Sequence, residues 1–401
     1  MMILSMLEEG KITSEEAIKL LEALEDVEVS RETDGIKEDS QRFEEKKESR
    51  TISKPIFNSL EDISSDIGNA LSNMFDGLKD IGNSFNFRGN YETITSDLDM
   101  DLSNIENPSL DLRAINGSIR LRPKDGNKIF IKSTCQYKNG LISPNEPYFD
   151  FYMDGNRIVF NPKYNSNISI KLDVSLPEKY YDEIILNSSN GKIDIQELNV
   201  DTLRCMTTNS SIDIVEVNSK EIDLTTKNGR IECRDTDSNL LKTVTTNSNI
   251  FLMNINSKEI DVKTANAKIC INDIDARNII CKTSNSSIEA ENISCDLVHL
   301  ITSNGKIICD NIDVDRVKDV KLITSNASIN SEIYESTRDC YFDLETSMGS
   351  ISLEIPNLVY KLNKQANLGF RKIVAHTTSF DEEKEHLKFI ASTSNGSIKI
   401  Y

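Results

Sequence analysis

The 401-residue chain contains no tryptophan, and only 6% of its residues are aromatic. Any core must therefore be built from isoleucine, leucine and valine. Long apolar runs are also missing, because no segment reaches the length of a membrane-spanning helix. The first residues, MMILSMLEEG, lack the basic start and the apolar stretch of a signal peptide. We therefore expect a cytoplasmic chain.

Metal-ligand and redox patterns are absent as well. The eight cysteines form no C-x-x-C pair, and the three histidines stand at no ligand spacing from them. This argues against a zinc site or a disulfide framework and favours a reducing compartment. Gly-rich phosphate loops and calcium repeats do not occur, so we predict no cofactor and no metal. The net charge of −19 disfavours nucleic acid and anionic lipid as direct partners.

The first 87 residues divide by composition into three segments. Residues 1–26 predict a helical hairpin, in which Gly10 ends the first helix and Thr13 with Glu16 forms a capping box for the second. Residues 27–54 are charged and have the composition of a linker. Residues 55–87 predict an amphipathic helix. Its apolar residues recur at steps of three and four: Ile56, Leu60, Ile63, Ile67, Leu71, Met74, Phe75, Leu78 and Ile81.

These N-terminal helices are candidates for docking a protein partner or for self-association. Three placements are open for the helix at 55–87: on the end of the main domain, against a second copy, or on a membrane. Its polar face carries four aspartates and one lysine, whereas membrane-surface helices usually have a basic polar face. We therefore favour packing or self-association over membrane contact.

A short phrase repeats through the second half of the chain, after a region of β-type alternation that begins at residue 91. The phrase reads TTNSSIDI at 207–214 and TTNSNIFL at 245–252. A fixed short period is the signature of a solenoid. Its asparagine recurs every 19 residues at Asn190, Asn209, Asn228, Asn247, Asn266, Asn285 and Asn304, and weaker units follow at Asn326, Met348 and Asn395.

Counting the asparagine as position one shows what each unit is. Positions 4 and 6, and positions 14 and 16, are mostly apolar and lie two apart, which is strand alternation. We predict a mainly β fold, a single-stack β-solenoid of about 19-residue coils with the N-terminal helical hairpin and amphipathic helix attached. Residues 91–401 form the solenoid domain, with 91–189 as an irregular β cap and 190–401 as regular coils.

The repeated asparagines and threonines are interpreted as a structural turn ladder. A threonine two residues before each asparagine continues the inward alternation. The asparagine is expected to adopt a left-handed backbone or to bond neighbouring backbone, with hydrogen-bond ladders between coils. An ice-binding threonine array is disfavoured because the outward neighbours vary. The ladder threonines are Thr207, Thr226, Thr245, Thr264, Thr283 and Thr302.

A carbohydrate-binding or carbohydrate-cleaving β-helix is the alternative function. Such enzymes gather acids in one groove. Here the outward acids are spread along the stack and interrupted by Phe251, Cys270 and Ile308, so we predict no catalytic residue and no enzyme. The acids stand at position five (Asp194, Asp213, Glu232) and at position eight (Glu197, Glu216, Asp235, Asp273).

Two segments carry a resemblance to a known family. The hairpin MLEEGKITSEEAIKLLEAL at 6–24, followed by LDVSLPEKY at 172–180 and the serial repeats, resembles LiaX/YvlB-like bacterial proteins. The resemblance covers 1–26 and 91–401. It implies a short helical module joined to an adhesin-type β-solenoid, a role in the cell-envelope stress response, and association with the envelope. The predicted function is a non-catalytic scaffold for protein interaction.

Overall fold

The computed structural model describes residues 90–143, 146–333, 338–366 and 369–401. Every regular element in these ranges is a β-strand, and they contain no helix that could cross a membrane. The prediction of a mainly β fold is confirmed. The predicted hairpin at 1–26, linker at 27–54 and helix at 55–87 lie outside the described residues.

Eight strands precede the regular coils. They are β1 (Tyr91–Asp101), β2 (Ser109–Ala114), β3 (Ile119–Lys124), β4 (Lys128–Lys138), β5 (Phe149–Asp154), β6 (Arg157–Pro162), β7 (Ile168–Pro177) and β8 (Tyr180–Ser188).

Five strands of fifteen residues form the regular middle of the fold. Each residue pairs in parallel with the residue nineteen positions further along the chain, as Ile212 does with Ile231. The repeat period is therefore the pairing register, and successive coils lie about 4.8 Å apart. The strands are β9 (Ile193–Thr207), β10 (Ile212–Thr226), β11 (Ile231–Thr245), β12 (Ile250–Thr264) and β13 (Ile269–Thr283).

The remaining coils are split into shorter strands. The unit that starts at Asn304 is longer than nineteen residues, and its extra residues make a turn from which Arg316 reaches back to Asp275 at 2.8 Å and Asp296 at 3.3 Å. The strands are β14 (Ile288–Ser294), β15 (Leu297–Thr302), β16 (Ile307–Ile312), β17 (Asp319–Ile323), β18 (Ile329–Ser331), β19 (Cys340–Thr346), β20 (Ile351–Leu353), β21 (Leu358–Gln365), β22 (Arg371–Thr377), β23 (Leu387–Thr393) and β24 (Ile398–Ile400).

The core consists of stacked aliphatic side chains. The isoleucine at position four is 0% exposed in all seven coils from Ile193 to Ile307. Because each side chain sits on its own copy in the next coil, medium-sized β-branched residues fill the interior and tryptophan is not needed. The largest buried aromatics lie towards the ends of the stack, where coils change shape: Tyr148, Phe160 and Tyr181 at one end, Phe342 and Phe389 at the other.

The buried cysteines behave as small apolar core residues. Cys205, Cys233, Cys281 and Cys309 are buried at position six or sixteen, and Cys295 is buried at position eleven. Burial raises the pKa of the Cys233 thiol to about 12, which leaves it protonated and unreactive at neutral pH.

The stack extends into the region that was predicted to be an irregular cap. Strands β2 and β3 form a parallel layer against β8 and β9, and β6 and β7 form a further parallel layer outside it. The later part of the chain therefore lies outside the earlier part. Antiparallel strands complete this end, with β4 against β7, β1 against β4 and β5 against β6.

The opposite end of the stack shows the same exchange of order. The C-terminal strands β23 and β24 lie between two layers that precede them in sequence, pairing with β17 and β18 on one side and with β19 and β20 on the other. An antiparallel hairpin of β21 and β22 then covers β19. At both ends the spatial order of layers differs from the chain order.

Candidate functional site

The repeated asparagines form one continuous ladder on an exposed edge of the stack. From Asn190 onward, each side-chain Nδ2 donates to the Oδ1 of the asparagine one layer below, at 2.5–2.8 Å. Every amide in the ladder thus has a partner of its own kind. In spatial order the ladder comprises Asn116, Asn190, Asn209, Asn228, Asn247, Asn266, Asn285, Asn304, Asn326 and Asn395.

Sequence reasoning missed Asn116 as a ladder member. The segment INGSI at 115–119 has the repeat's turn and first strand residue, so a signal was present. It was missed because the next ladder residue, Asn190, lies 74 positions further on instead of nineteen.

The threonines at position eighteen point inward, and their hydroxyls bond to the backbone of the equivalent turn in the preceding coil. Thr245 is 0% exposed, and its Oγ1 donates to the carbonyl oxygen of Gly229 at 3.1 Å, one coil away. Thr207, Thr283 and Thr302 make the equivalent bond at 3.0–3.2 Å. These hydroxyls therefore hold coils together and are not available for surface binding.

A second corner lies at position eight, where the backbone is left-handed in seven successive coils. Their φ angles lie between 50° and 56°. None of the nine predicted ladder asparagines has a positive φ, so the left-handed turn expected at the asparagine belongs to this other corner. The residues are Glu197, Glu216, Asp235, Asn254, Asp273, Asn292 and Asn311.

The acids that suggested a carbohydrate groove at position eight are thus corner residues. Where an asparagine follows an acid, its Nδ2 donates down the stack, as Asn254 does to Asp235 at 2.6 Å and Asn292 to Asp273 at 3.0 Å. The side chains form a second exposed ladder along the coil axis. Glu197 and Glu216 line one cavity of about 310 Å³ together with Glu178, Arg122 and Lys179.

The acids at position five form ion pairs. Asp194 lies 2.8 Å from the Arg122 guanidinium, and Lys192 lies 2.5 Å from Asp213. Glu232 is held between two guanidinium groups, of which that of Arg230 lies at 2.9 Å. Each carboxylate in this row thus has a cation beside it.

Charges alternate at position fifteen on the neighbouring strand face. Arg204, Asp223, Lys242 and Asp261 follow one another up the stack. Asp223 is largely buried, and desolvation raises its pKa even though Lys242 lies 3.7 Å away. Within this row Lys242 pairs with Asp223, whereas Arg204 pairs with Glu183 and Asp261 with Lys263.

The three histidines were predicted to have no partner motif. His299 contacts Asp319 at 3.1 Å, and this hydrogen bond lowers the pKa of Asp319. The pairing links two coils twenty residues apart, a spacing that the sequence pattern did not bring out. His376 and His386 flank the ring of Phe380, each with its centroid 4.8 Å away. Among the described residues, no cluster of three or more His, Cys, Asp or Glu could hold a metal.

In the hairpin of β21 and β22, strand β21 is an exposed surface of the described stack. Seven of the eight residues of β21 are exposed, and Val359, Tyr360 and Leu362 are 38–47% exposed. The segment from Leu358 to Thr377 contains four Lys or Arg and no acid, although the chain as a whole carries −19. This hairpin therefore combines exposed apolar area with local positive charge.

Two family models match separate parts of the chain. Toastrack DUF4097 matches residues 152–269, which run from β5 into the first residue of β13, and the SHOCT-like domain matches residues 1–28. The first match agrees with the parallel coils of this region. Its span is less than half of the chain.

Solved structures were also compared with the chain. The chain is similar to a crystal structure of a provisionally named cell adhesion protein from Clostridium sporogenes, at 10% identity, covering 77% of this chain and 99% of the other. The TM-score is 0.17, which is too low to support an argument. No curated protein matches the chain. The coil geometry and the Toastrack match together identify a β-solenoid repeat fold.

Proposed function

We propose that the chain is a non-catalytic β-solenoid scaffold that binds a component of the cell envelope, as the resemblance to adhesin-like and envelope-stress proteins implies. One observation carries the proposal: many stacked polar side chains of the coils contact one another or form the corners of the coils. The amides form ladders, the position-five acids are ion-paired, and the position-eight acids turn corners. Such a stack is suited to display a surface.

The surface best suited to binding is the β21–β22 hairpin. Lys361 and Lys364 project from an exposed strand that also displays Tyr360 and Leu362. An aromatic ring beside cations fits a partner that is anionic and partly apolar. Because the rest of the chain is acidic, long-range attraction is weak and binding should depend on this local contact.

The partner chemistry is therefore an anionic envelope component, and its source depends on location. Anionic lipid headgroups would meet the hairpin if the chain is cytoplasmic. Wall polymers would meet it if the chain is exported, as the family resemblance implies. A retention assay with cell walls in one arm and lipid vesicles in the other distinguishes the two sources.

We expect the full-length protein to co-sediment with purified Gram-positive cell walls, or to float with vesicles that contain anionic lipid, and to ignore neutral vesicles. Lys361→Glu with Lys364→Glu should reduce retention severalfold, because it reverses the charge of the contact. Lys258→Glu with Arg277→Glu makes the same charge change at exposed coil positions and should leave retention unchanged.

The same samples test the catalytic alternative. Release of reducing ends from the walls should stay at background for the wild type and for the Asp194→Ala, Asp213→Ala, Glu232→Ala variant alike. Cleavage by the wild type that the triple variant abolishes would refute the scaffold. Equal loss of binding in both charge-reversal variants would remove the hairpin as the contact.

A further inference from the structure

Among the described residues, two edge strands bound the N-terminal end of the solenoid. Strand β1 pairs with β4 alone and β5 pairs with β6 alone, so each is the outermost described strand of its side of the stack. In the regular coils the two sides face each other across a filled core. Here no further described strand closes the space between them.

The inner faces of both edge strands continue the core pattern. In the antiparallel register Leu98 lies opposite Ile131 and Met100 opposite Ile129, and directly opposed residues point to the same side of a sheet. Ile129 and Ile131 are at most 1% exposed, whereas Leu98 and Met100 are only partly buried. The apolar face of the core thus continues onto β1, where its residues are only partly buried.

The same change from fully buried to partly buried residues occurs on the opposite side of the opening. Phe151 lies opposite Phe160 and Met153 opposite Ile158, and both partners are 0% exposed. Phe151 and Met153 themselves are only partly buried. We call this opening the N-terminal mouth, and it is lined by Ile94, Leu98, Met100, Phe149, Phe151 and Met153.

A cavity of about 510 Å³ lies at one side of the mouth. Ile94 on β1 and Phe149 on β5 both line it with the buried Tyr148, and its lining also includes Glu92 and Glu146. The space is large enough to take several aliphatic side chains from another segment. An apolar end of this kind is normally covered in natural solenoids, because it otherwise exposes core to water.

The chain supplies a segment of matching character and length beside the mouth. Residues 55–87 carry a continuous apolar stripe and end three residues before β1 begins at Tyr91. From Ile56 to Ile81 a helix would extend about 39 Å at 1.5 Å per residue. The eleven residues of β1 span about 36 Å at 3.3 Å per residue. The connecting residues, Arg88, Gly89 and Asn90, include two types that favour a reversal of direction.

We infer that the apolar stripe of residues 55–87 packs into the N-terminal mouth of the same chain and covers the end of its core. Its acidic polar face then lies outward in water, away from the apolar lining. Of the three placements left open by the sequence, this one needs no second molecule, and the short connection gives the segment a high effective concentration at the mouth.

The absence of tryptophan permits a direct test in the full-length protein. Phe151→Trp gives the chain a single tryptophan in the mouth lining. Its emission should be blue-shifted and resistant to acrylamide quenching. Adding Ile67→Glu and Leu71→Glu, which place charges in the stripe, should shift the emission to the red and increase quenching severalfold.

The control adds the same two charges on the opposite side of the predicted helix. Ser65 and Asn69 lie about 160° from the centre of the stripe at 100° per residue, so Ser65→Glu with Asn69→Glu should leave the emission unchanged. Equal responses to the two double variants, or an introduced tryptophan that is exposed from the start, would overturn the inference. Protection that disappears on dilution would also overturn it, because a second copy would then occupy the mouth.

Hydrogen exchange supplies a readout that needs no reporter residue. Peptides from β1 and β5 should exchange faster in the chain carrying Ile67→Glu and Leu71→Glu than in the chain carrying the control pair. Peptides from β10 to β12 should exchange equally in both. Equal exchange at β1 and β5 would refute the inference even if the tryptophan variant failed to fold.

Discussion

Two buried threonines show how strongly the stack depends on paired hydroxyls. Thr245 donates to the Gly229 carbonyl in the neighbouring coil, which satisfies both groups away from water. Thr243, two residues earlier and also 0% exposed, has a buried Oγ1 with no hydrogen-bond partner. The same side chain thus stabilises the fold at one position and costs free energy at the other.

We expect Thr245→Val to lower the free energy of unfolding by about 1–2 kcal/mol, because it deletes the hydroxyl and leaves a buried carbonyl under-satisfied. Thr243→Val should be neutral or raise it by about 1 kcal/mol, because it replaces an unpaired polar atom by a methyl group. Urea unfolding of both variants measures the difference. If both variants changed the free energy of unfolding by the same amount, the turn bond would contribute nothing.

The corner at position eight shows a cost that is shared by successive coils. A left-handed backbone costs free energy at non-glycine residues, and this cost is smallest for asparagine. Glu197 and Glu216 adopt it with φ of 53° and 56°, and with Asp235 they stack three negative charges in neighbouring coils. Asn254, one coil further, instead donates to Asp235 at 2.6 Å.

Replacing one of these glutamates should relieve both costs. We expect Glu216→Asn to raise the free energy of unfolding by about 1 kcal/mol, because asparagine tolerates the left-handed conformation and can donate to the neighbouring carboxylate. Glu221→Asn, which removes the same charge from a position without a positive φ, serves as the control and should gain less. A thermal unfolding midpoint raised equally by both would assign the gain to charge alone.

The sequence predicted the coil but not its corner. Ile193 and its six successors at position four show the period directly, because every one of them is isoleucine. Position eight holds Glu, Asp and Asn in no fixed order, and glutamate gives no signal of a left-handed backbone. The ladder bond between Asn116 and Asn190 could not be predicted either, because it depends on which distant segment lies beneath the first regular coil.

Both ends of the described stack are stabilised by an exchange of layer order. The layer of β6 and β7 lies outside that of β2 and β3, and the layer of β23 and β24 lies inside that of β19 and β20. A terminal coil that followed chain order could separate by losing one set of pairings. Here the chain must pass across a paired layer, so the end layers are tied to the layers beneath them.

Removal of the last fifteen residues should therefore damage more than the C terminus. Deleting 387–401 removes Phe389, Ala391 and Ile398 from the core and leaves β17 and β19 without their common neighbour. We expect a loss of cooperative unfolding and protease cleavage within 307–366. Deletion of Tyr401 alone, which removes two backbone hydrogen bonds but no core side chain, is the control and should have a much smaller effect. Protease resistance of the longer deletion at wild-type level would show that the exchange does not stabilise this end.

The exchanged layers also decide where such a chain can change its repeat number. A duplication of nineteen residues between Asn190 and Asn304 adds one coil whose neighbours have the register they already had, and both ends keep their partners. The same duplication near Asn116 or Asn395 would separate segments that must meet across a layer. Variation in length among relatives of this chain should therefore fall in the middle of the stack, with conserved spacing at its two ends.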